Sequence, residues 1–550
     1  MKEKTFMKKY GMLLMILGVA AVTRLAGLGK IPEGILPDEA CAAYNAWALM
    51  TEGMDNRGYG FPVYFIAWGS GMNTLYSYLS IPFLWLFGAT TMVYRIPQAL
   101  FGILGVLAAY VLGRELLDEK FGLLFSFLLA INPWNIMINR FALESNLAPA
   151  MFLISLTLLV LGIRKNSGYL PAAAAFFGLT LYSYAQSWIV VPLFLLLFLL
   201  FYRKSIPYGK HLWFSILVLA VIASPLLYFV GVNLNLLQEI KTRFFSIPKL
   251  LAFRGEEINI AHMIDSAKIV CKMLFRQYDG VAHTACVKTG AYYFFTAPFW
   301  MLGIGLQLNG IVRSRKLEKK PLEYVMLFWL VSAAVMCVLN EIVTVIHTNL
   351  IHIPIIFYGA YGIYKVCSYL KSKVFFGICM GMLLFSFGIF AVWYVKDSEE
   401  YASYFVGKEA GEAIEMARSV SENGEFTIVE PGTINFATIL WEEKIPVTDY
   451  LNSVVYTGVP GWENPESFTG YRYVQTLDEA VEDGVYLIPI QYEEEMMHRN
   501  YQIITVNTDY SLAIRKTQNN DTQGNTKEQQ PGDTDNALIK RIRLNIVHLA

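Results

Sequence analysis

The chain contains a series of apolar runs, each long enough to cross a membrane as a helix. A helix needs roughly 20 residues to span a hydrocarbon core of about 30 Å. Such runs lie near residues 10–27, 93–113, 121–138, 146–163, 169–186, 188–202, 211–229, 293–312, 322–339, 345–364 and 374–395. The sequence therefore predicts an α-helical polytopic membrane protein with about eleven transmembrane helices.

The overall composition supports this assignment and excludes other classes of protein. Of the 550 residues, 55% are hydrophobic and 16% are charged, and the mean hydropathy is +0.42. A soluble globular domain carries about 25% charged residues. The 44 basic and 44 acidic side chains give zero net charge, whereas binding to nucleic acid needs a basic excess to neutralise phosphates. An ordinary soluble enzyme and a nucleic-acid-binding protein are both excluded.

The distribution of lysine and arginine predicts the orientation in the membrane. Among the short loops, these residues are concentrated in every second one, which is typical of cytoplasmic loops. The long loop 230–292 is also basic, but long loops cross the membrane largely regardless of their charge. The alternation holds only if the apolar run 74–88 does not cross. That run contains Pro82 and is shorter than the roughly 20 residues that a crossing needs, so we interpret it as a helix lying along the outer membrane surface. The loops at about 28–92 and 230–292, and the chain after residue 395, then face outward.

After residue 395 the composition becomes that of a soluble domain. Its predicted elements are strands at 426–430, 484–490 and 501–514, and helices or helix ends at 408–420 and 477–483. The sequence thus predicts a transmembrane domain at 1–395, with the two outer loops given above, and a small extracytoplasmic α/β domain at 396–515. A polar, disordered tail is expected at 516–550.

The first candidate for chemistry is the acidic pair Asp38-Glu39, which follows Pro37 shortly after the first helix. A carboxylate that loses part of its hydration to an apolar loop holds a proton more readily, which suits it to act as a general base. A structural interpretation stays open, because Asp-Glu after proline is also typical of a helix N-terminus.

A second candidate is the pair Arg140 and Glu144 at the outer end of the third helix. Their i, i+4 spacing predicts that they share a helix face and can pair. Charged residues near lipid favour a functional interpretation, and the alternative is an ion pair that holds the helix end in register. A third polar group is predicted at the outer ends of helices nine and ten: Asn340, Glu341, His347, Asn349 and His352.

Four segments, taken in order, resemble one known family. They are L-P-D-E-A (36–40), F-P-V-Y-F (61–65), R-I-P-Q-A-L-F-G-I-L-G (95–105) and R-F-A-L-E-S-N (140–146). Together with the surface helix, this set is similar to the GT-C glycosyltransferases over roughly residues 10–365. The resemblance is closest to family 39 and its bacterial branch, which includes protein O-mannosyltransferases and aminoarabinose transferases.

The resemblance implies an enzyme that transfers a sugar, with inversion, from a polyprenyl-phosphate carrier to an acceptor at the outer face of the cytoplasmic membrane. Asp38 matches the family's catalytic aspartate, which deprotonates the acceptor hydroxyl. Glu39 is its partner in the acidic pair, and Glu144 matches the second acidic position. Arg140 is then expected to bind Glu144 or the carrier phosphate. Because the leaving group is a lipid phosphate, the protein must supply a base, a positioned sugar and cationic stabilisation.

The sequence departs from the family pattern in two places. Aminoarabinose transferases carry Lys-Pro where this chain has Asn73-Thr74, and many bacterial relatives carry Asn-Arg where this chain reads His347-Thr348-Asn349. His347, Asn349 and His352 are therefore the candidates for binding the substrate at the late helix. No cofactor is required by the pattern, and no metal ligand set is assigned, although the acidic residues could hold a divalent ion.

Two other functions stay open beside transfer. A transporter or flippase for a lipid-linked saccharide would share the membrane content, but we find no repeated halves with broken midplane helices. A non-catalytic accessory member of the family would not need Asp38 and Glu39. The expected partners are a polyprenyl-phosphate sugar donor, membrane lipid, and a lipid, glycan or protein acceptor.

Overall fold

The computed structural model describes residues 2–251, 262–280, 284–313, 322–340, 343–396, 409–421, 423–430, 434–456, 465–480 and 483–515. The chain divides into two compact units. The larger comprises Met1–Lys408, Phe436–Asn452 and Gly458–Glu463, and the smaller comprises Glu409–Asn435, Ser453–Thr457 and Asn464–Ala550. Glu341 and the predicted tail 516–550 lie outside the described residues.

Helices account for most of the larger unit. The helices are α1 (Lys2–Leu25), α2 (Pro37–Thr51), α3 (Leu75–Phe87), α4 (Thr91–Leu116), α5 (Glu119–Ile131), α6 (Pro133–Ile138), α7 (Glu144–Arg164), α8 (Tyr169–Thr180), α9 (Ser187–Tyr202), α10 (Lys210–Asn233), α11 (Met263–Arg276), α12 (Ala297–Arg313), α13 (Val325–Leu339), α14 (Asn349–Leu370), α15 (Lys373–Lys396), α16 (Ala410–Val420), α17 (Phe436–Glu443), α18 (Val447–Ser453) and α19 (Glu493–His498). The strands are β1 (Tyr64–Ala67), β2 (Ser70–Asn73), β3 (Ile240–Lys241), β4 (Ser246–Ile247), β5 (Phe426–Val429), β6 (Ser467–Phe468), β7 (Tyr471–Val474), β8 (Gly484–Pro489), β9 (Gln502–Thr505) and β10 (Tyr510–Arg515).

The apolar helices make the chain a multi-pass membrane protein. Seven described helices are long and apolar enough to cross a membrane: Thr91–Leu116, Glu144–Arg164, Ser187–Ser205, Lys210–Asn233, Phe294–Arg313, Ile346–Leu370 and Lys373–Lys396. Shorter apolar helices are Tyr10–Leu25, Leu75–Phe87, Tyr169–Thr180 and Val325–Leu339. Each span predicted from the sequence overlaps a described helix, although the span predicted at 169–186 is helical only as far as Thr180. The run 74–88 forms α3, which has 13 residues.

The predicted span 121–138 is not one continuous helix. α5 ends at Ile131, because Pro133 lacks the N–H that would continue its hydrogen bonding. The Asn132 side chain accepts a hydrogen bond from the Asn135 N–H at 2.9 Å and so caps α6. The buried Arg24 guanidinium binds the carbonyl oxygens at the end of α5. The helix break thus satisfies its free backbone groups internally, as a membrane environment demands.

The smaller unit contains a mixed six-stranded sheet, in the order β6-β7-β5-β8-β10-β9. β5 runs parallel to β7 and β8, whereas the β6-β7, β8-β10 and β9-β10 pairs are antiparallel. The predicted strand 501–514 is two strands, β9 and β10, joined as a hairpin. One face of the sheet packs on apolar side chains that include Leu477, Met496 and Tyr501.

A late segment of the chain, Phe436–Asn452, belongs to the larger unit and packs on α2. The Tyr44 hydroxyl donates to the Ile445 carbonyl oxygen at 2.8 Å. The Glu52 carboxylate accepts from the Val447 N–H at 2.6 Å. These two bonds join α2 and the residue after it to a segment that lies 401 and 395 positions later in the sequence. The late segment therefore fixes the position of α2.

Candidate active site

A cavity of about 310 Å3 opens where several helix ends and loops of the larger unit meet. Its polar lining includes Asp38, Glu144, Tyr184, Asp279, Thr344 and His347. Among the described residues that line it there is no lysine or arginine. The structure thus brings Asp38, Glu144 and His347 to one place, although they are far apart in the sequence.

Asp38 reaches this cavity because α2 begins beside it. Leu36 has an extended backbone and Pro37 opens the helix, where its missing N–H costs nothing. Successive helix residues point about 100° apart, so Asp38 and Glu39 face different surroundings. The Asp38 side chain is exposed, whereas Glu39 is fully buried.

Glu39 forms a buried ion pair and does not line the cavity. The Arg95 Nε and Nη2 atoms each donate to one Glu39 carboxylate oxygen at 2.7 Å. The Ala142 N–H donates to the same carboxylate at 2.8 Å. Arg95 also donates to the carbonyl oxygens of Pro32 and Gly34. Glu39 therefore joins α2, α4 and the segment before α7, and so holds the first turn of α2, which carries Asp38.

The prediction that Arg140 and Glu144 share a helix face was wrong. α6 ends at Ile138 and α7 begins at Glu144, so the residues between are not helical. The predicted ion pair is not formed between these two described residues, because Arg140 faces the end of α1. Its guanidinium donates to the carbonyl oxygens of Thr23, Ala26 and Ile31 at 2.8–3.0 Å.

Glu144 is instead held at the cavity by the strand before α3. Its carboxylate accepts a hydrogen bond from the Asn73 N–H. Asn73 ends β2, and the neighbouring residues Gly71 and Met72 line the cavity with Glu144. The position that carries Asn73 here in place of the family's Lys-Pro therefore supports an acidic side chain through its backbone.

His347 lies in a short turn before α14 that is fixed from three sides. Its Nδ1 atom lies 2.7 Å from the Thr344 hydroxyl. Its carbonyl oxygen accepts from the Gln186 side chain, and the Asp279 carboxylate accepts from the Val345 N–H at 2.7 Å. These contacts hold His347 in the cavity wall.

Asn349 and His352 lie in α14 behind this turn and do not line the cavity. Asn349 donates to Asn146 Oδ1 at 3.0 Å and accepts from Trp134 Nε1 at 3.2 Å. The His352 ring bonds the Tyr292 hydroxyl. Both side chains are fully buried, and their partners belong to neighbouring helices and loops. These contacts indicate a structural role for both residues.

The charges around the cavity act on one buried thiol. Burial and the Asp38 carboxylate raise the pKa of Cys41 to about 12, with further contributions from Asp55 and Glu144. The Arg57 guanidinium lowers the pKa of the same thiol. Arg57 therefore acts electrostatically on α2, although it does not line the cavity.

No metal centre is formed by the part of the chain that the structure describes. There, no group of three or more His, Cys, Asp or Glu side chains is arranged to hold a metal ion.

Comparison with protein families finds one similar sequence pattern. Residues 74–229 match the family described as dolichyl-phosphate-mannose-protein mannosyltransferase. This match covers α3 to α10 and includes Glu144, Tyr184 and Arg95, but not Asp38. A search of curated proteins found no match.

Comparison with solved structures decides the fold. ArnT from Cupriavidus metallidurans in the apo state superposes with a TM-score of 0.57 at 12% identity, over 92% of this chain and 98% of ArnT. The same protein bound to undecaprenyl phosphate gives 0.54 at 14% identity, with the same coverage. The apo oligosaccharyltransferase of Archaeoglobus fulgidus gives 0.51 at 13% identity, over 80% of this chain and 64% of that protein. The chain has the fold of ArnT, as its resemblance to the GT-C family implies.

The structure places several residues at or behind the cavity that the sequence analysis missed. Arg95 carried a usable signal, because a charged residue inside an apolar span is costly unless it has a partner. Asp279 and Tyr184 carried no such signal, since each is only one of many polar residues in the loops. Trp68, which also lines the cavity, carried none either, because its position depends on the antiparallel pairing of β1 and β2, which the sequence analysis did not predict.

Proposed function

We propose that this chain is an inverting glycosyltransferase that uses a polyprenyl-phosphate sugar as donor at the outer face of the membrane. The observation that carries the proposal is the convergence of Asp38 and Glu144 on one cavity. Each lies in the first turn of its helix. The fold is shared with ArnT, which was solved with undecaprenyl phosphate bound. The acceptor is a hydroxyl group of a lipid, a glycan or a protein.

In the proposed reaction Asp38 acts as the general base. Its exposed carboxylate takes the proton of the acceptor hydroxyl as the acceptor oxygen attacks the anomeric carbon. The bond from that carbon to the phosphate oxygen breaks, and polyprenyl phosphate leaves with the electron pair. Attack opposite the leaving group inverts the anomeric carbon.

Glu39 does not suit the role of base. Its carboxylate is fully buried and accepts hydrogen bonds from Arg95 and Ala142. Releasing it from Arg95 would leave an unpaired buried guanidinium, which is strongly unfavourable. We therefore assign Glu39 to holding α2, and Glu144 to accepting hydrogen bonds from sugar hydroxyls.

The leaving phosphate needs a positive partner, and we assign this role to Arg57 with His347. Arg57 acts electrostatically on Cys41, which lies one helix turn after Asp38. His347 lines the cavity and can donate from its ring. A cation beside the departing phosphate stabilises the charge that develops there.

The outward orientation is supported by contacts within the larger unit. Glu52, in the loop after α1, accepts hydrogen bonds from Val447 and Thr448. The two segments must therefore lie on the same side of the membrane. The spans predicted between them are even in number if α3 does not cross. Because the lysine-rich loops are cytoplasmic, we propose that this shared side is extracytoplasmic.

The direct test is release of polyprenyl phosphate by the purified protein. The protein in nanodiscs is incubated with several polyprenyl-phosphate hexoses and with cell-envelope fractions, with EDTA or with Mg2+ and Mn2+. Release with one sugar, accompanied by a glycosylated acceptor, supports transfer and identifies the donor. Movement of intact glycolipid across the bilayer without release would support a flippase instead. Loss of release in EDTA would assign a divalent ion to the site.

A further inference from the structure

Trp68 occupies a backbone position that a bulky residue rarely adopts. β1 and β2 pair with Ala67 opposite Ser70, which leaves Trp68 and Gly69 as a two-residue hairpin loop. Both have positive φ, +50° for Trp68 and +72° for Gly69. A loop of this kind favours Asn, Asp or Gly at the first position. A large aromatic residue there is strained, and such strain clusters at functional sites.

This backbone conformation places the Trp68 indole in the wall of the acidic cavity. Trp68 lines the same cavity as Asp38 and Glu144. Its ring packs against Phe436, with centroids 5.6 Å apart and planes tilted by 58°. Phe436 belongs to the late segment that packs on α2, so this contact holds the indole against that segment. A fixed aromatic ring at a cavity wall is a binding surface of low conformational entropy.

The indole N–H of Trp68 has no acceptor in the part of the chain that the structure describes. The Nε1 atom is buried and makes no hydrogen bond there. A buried donor without a partner is costly, and Trp N–H groups usually find one. A ligand that supplies an acceptor to Trp68 would remove this cost.

We propose that Trp68 is the platform for a sugar ring in this cavity. This inference rests on the proposed function. The C–H face of a pyranose packs on the indole, one ring or hydroxyl oxygen accepts the Nε1–H, and the neighbouring carboxylate of Glu144 accepts from a sugar hydroxyl. The sugar comes from the lipid-linked donor or from a saccharide acceptor, and the two sources present the same chemistry to Trp68.

A binding measurement tests the platform without requiring turnover. The purified full-length protein in nanodiscs is titrated with polyprenyl-phosphate mannose, polyprenyl-phosphate glucose and sugar-free polyprenyl phosphate. The variants are W68F, which keeps a ring but loses the N–H, and W68G, which relieves the positive φ but removes the ring. The matched control is W85F, because Trp85 in α3 is 73% exposed and lies outside the cavity lining.

We expect W68F to weaken binding of a sugar-bearing lipid about 3–10-fold, the scale of one hydrogen bond, and W68G by at least about tenfold. Binding of sugar-free polyprenyl phosphate should change less than about twofold in either variant, and W85F should match the parent for all three lipids. Intrinsic fluorescence should change on binding the glycolipid in the parent and not in W68F.

The two sources of the sugar give different results. If the donor supplies the ring, glycolipid affinity falls as described. If a saccharide acceptor supplies it, glycolipid affinity is unchanged and the KM for the acceptor rises in W68F. Equal losses for lipids with and without sugar, or parental values for both the glycolipid and the acceptor, would overturn the inference. Sugar-specific binding without any transfer would contradict the proposed function and leave the platform standing.

Discussion

The two members of the acidic pair have different environments, although they are adjacent in the sequence. Asp38 is exposed in the cavity and Glu39 is fully buried beside Arg95. The sequence identifies both carboxylates and cannot separate them. The difference depends on the direction in which α2 presents each side chain and on a partner 56 positions away.

Glu39→Gln should destabilise the protein more than it alters the chemistry. The change leaves the buried Arg95 charge without its partner, a loss of about 3–5 kcal/mol. Thermal unfolding in detergent should therefore show a lower melting temperature, and Glu33→Gln, an exposed carboxylate in the same loop, should not. If Glu39→Gln melts like the parent yet has no transfer activity, Glu39 takes part in the reaction itself.

Asp55 should make stability depend on pH. Burial raises the pKa of Asp55 from its ordinary 3.8 to about 6, and its second carboxylate oxygen has no hydrogen-bond partner among the described residues. The folded state therefore holds the proton more tightly than the unfolded state. The associated stability is present below about pH 4 and is lost as the pH rises to about 6. One pKa unit corresponds to about 1.4 kcal/mol, so the loss is about 3 kcal/mol.

The comparison with Asp55→Asn isolates this effect. Asparagine keeps an oxygen to accept from the N–H groups of Arg57 and Tyr59, which bond Asp55 at 2.9 and 2.8 Å, but it does not titrate. Melting temperatures are measured for both proteins at pH 4 and pH 7. From pH 4 to pH 7, the melting temperature of Asp55→Asn should rise relative to that of the parent protein. A difference between the proteins that is the same at both pH values would contradict the assignment.

At the scale of elements, the connection from α6 to α7 differs most from the sequence prediction. Its spacing suggested a continuous helix, and Arg140 instead binds three carbonyl oxygens at the end of α1. Long-range bonds to backbone carbonyls leave no periodic signal in the sequence. Arg140 therefore acts as a clamp between α1 and this connection.

Exchange of the two charges tests the clamp. R140E/E144R should be inactive and should melt at a lower temperature than the parent protein. The reason is that a carboxylate at position 140 cannot donate to the carbonyl oxygens of Thr23, Ala26 and Ile31. The matched control is D265K/K268D, which exchanges an exposed pair joined at 2.8 Å and should retain both properties. Recovery of activity in R140E/E144R would show that the two residues pair.

The apolar spans could be predicted from the sequence because lipid requires long apolar helices with internal hydrogen bonds. The strands at 426–430 and 484–490 could also be predicted from their alternation, and β5 and β8 lie there. The hairpin of β1 and β2 could not, because Trp68 contradicts the usual turn residues. The packing of α17 and α18 on α2 could not either, since it depends on contacts between distant segments.

At the scale of the whole molecule, the account predicts which segments face outward. The cysteine variants T51C, D449C and K165C are each made in a protein in which serine replaces Cys271. T51C and D449C should react with a membrane-impermeant maleimide added from outside. K165C should react only after the inner face of the membrane is exposed. Thr51 and Asp449 are exposed. Labelling of the first two only from inside would reverse the orientation, and labelling from opposite sides would contradict the docking of the late segment on α2.

The central claim is that Asp38 is the base for sugar transfer from a polyprenyl phosphate. The most direct test compares Asp38→Asn with the parent protein and with Glu33→Gln, in release of polyprenyl phosphate from the preferred donor. Asparagine keeps the size of the side chain but cannot take the proton, so transfer should fall by roughly 10²-fold or more. Donor affinity should stay within about twofold, since Arg57, His347 and Trp68 are unchanged. Transfer by Asp38→Asn at the parental rate, with matched donor binding, would contradict the mechanism.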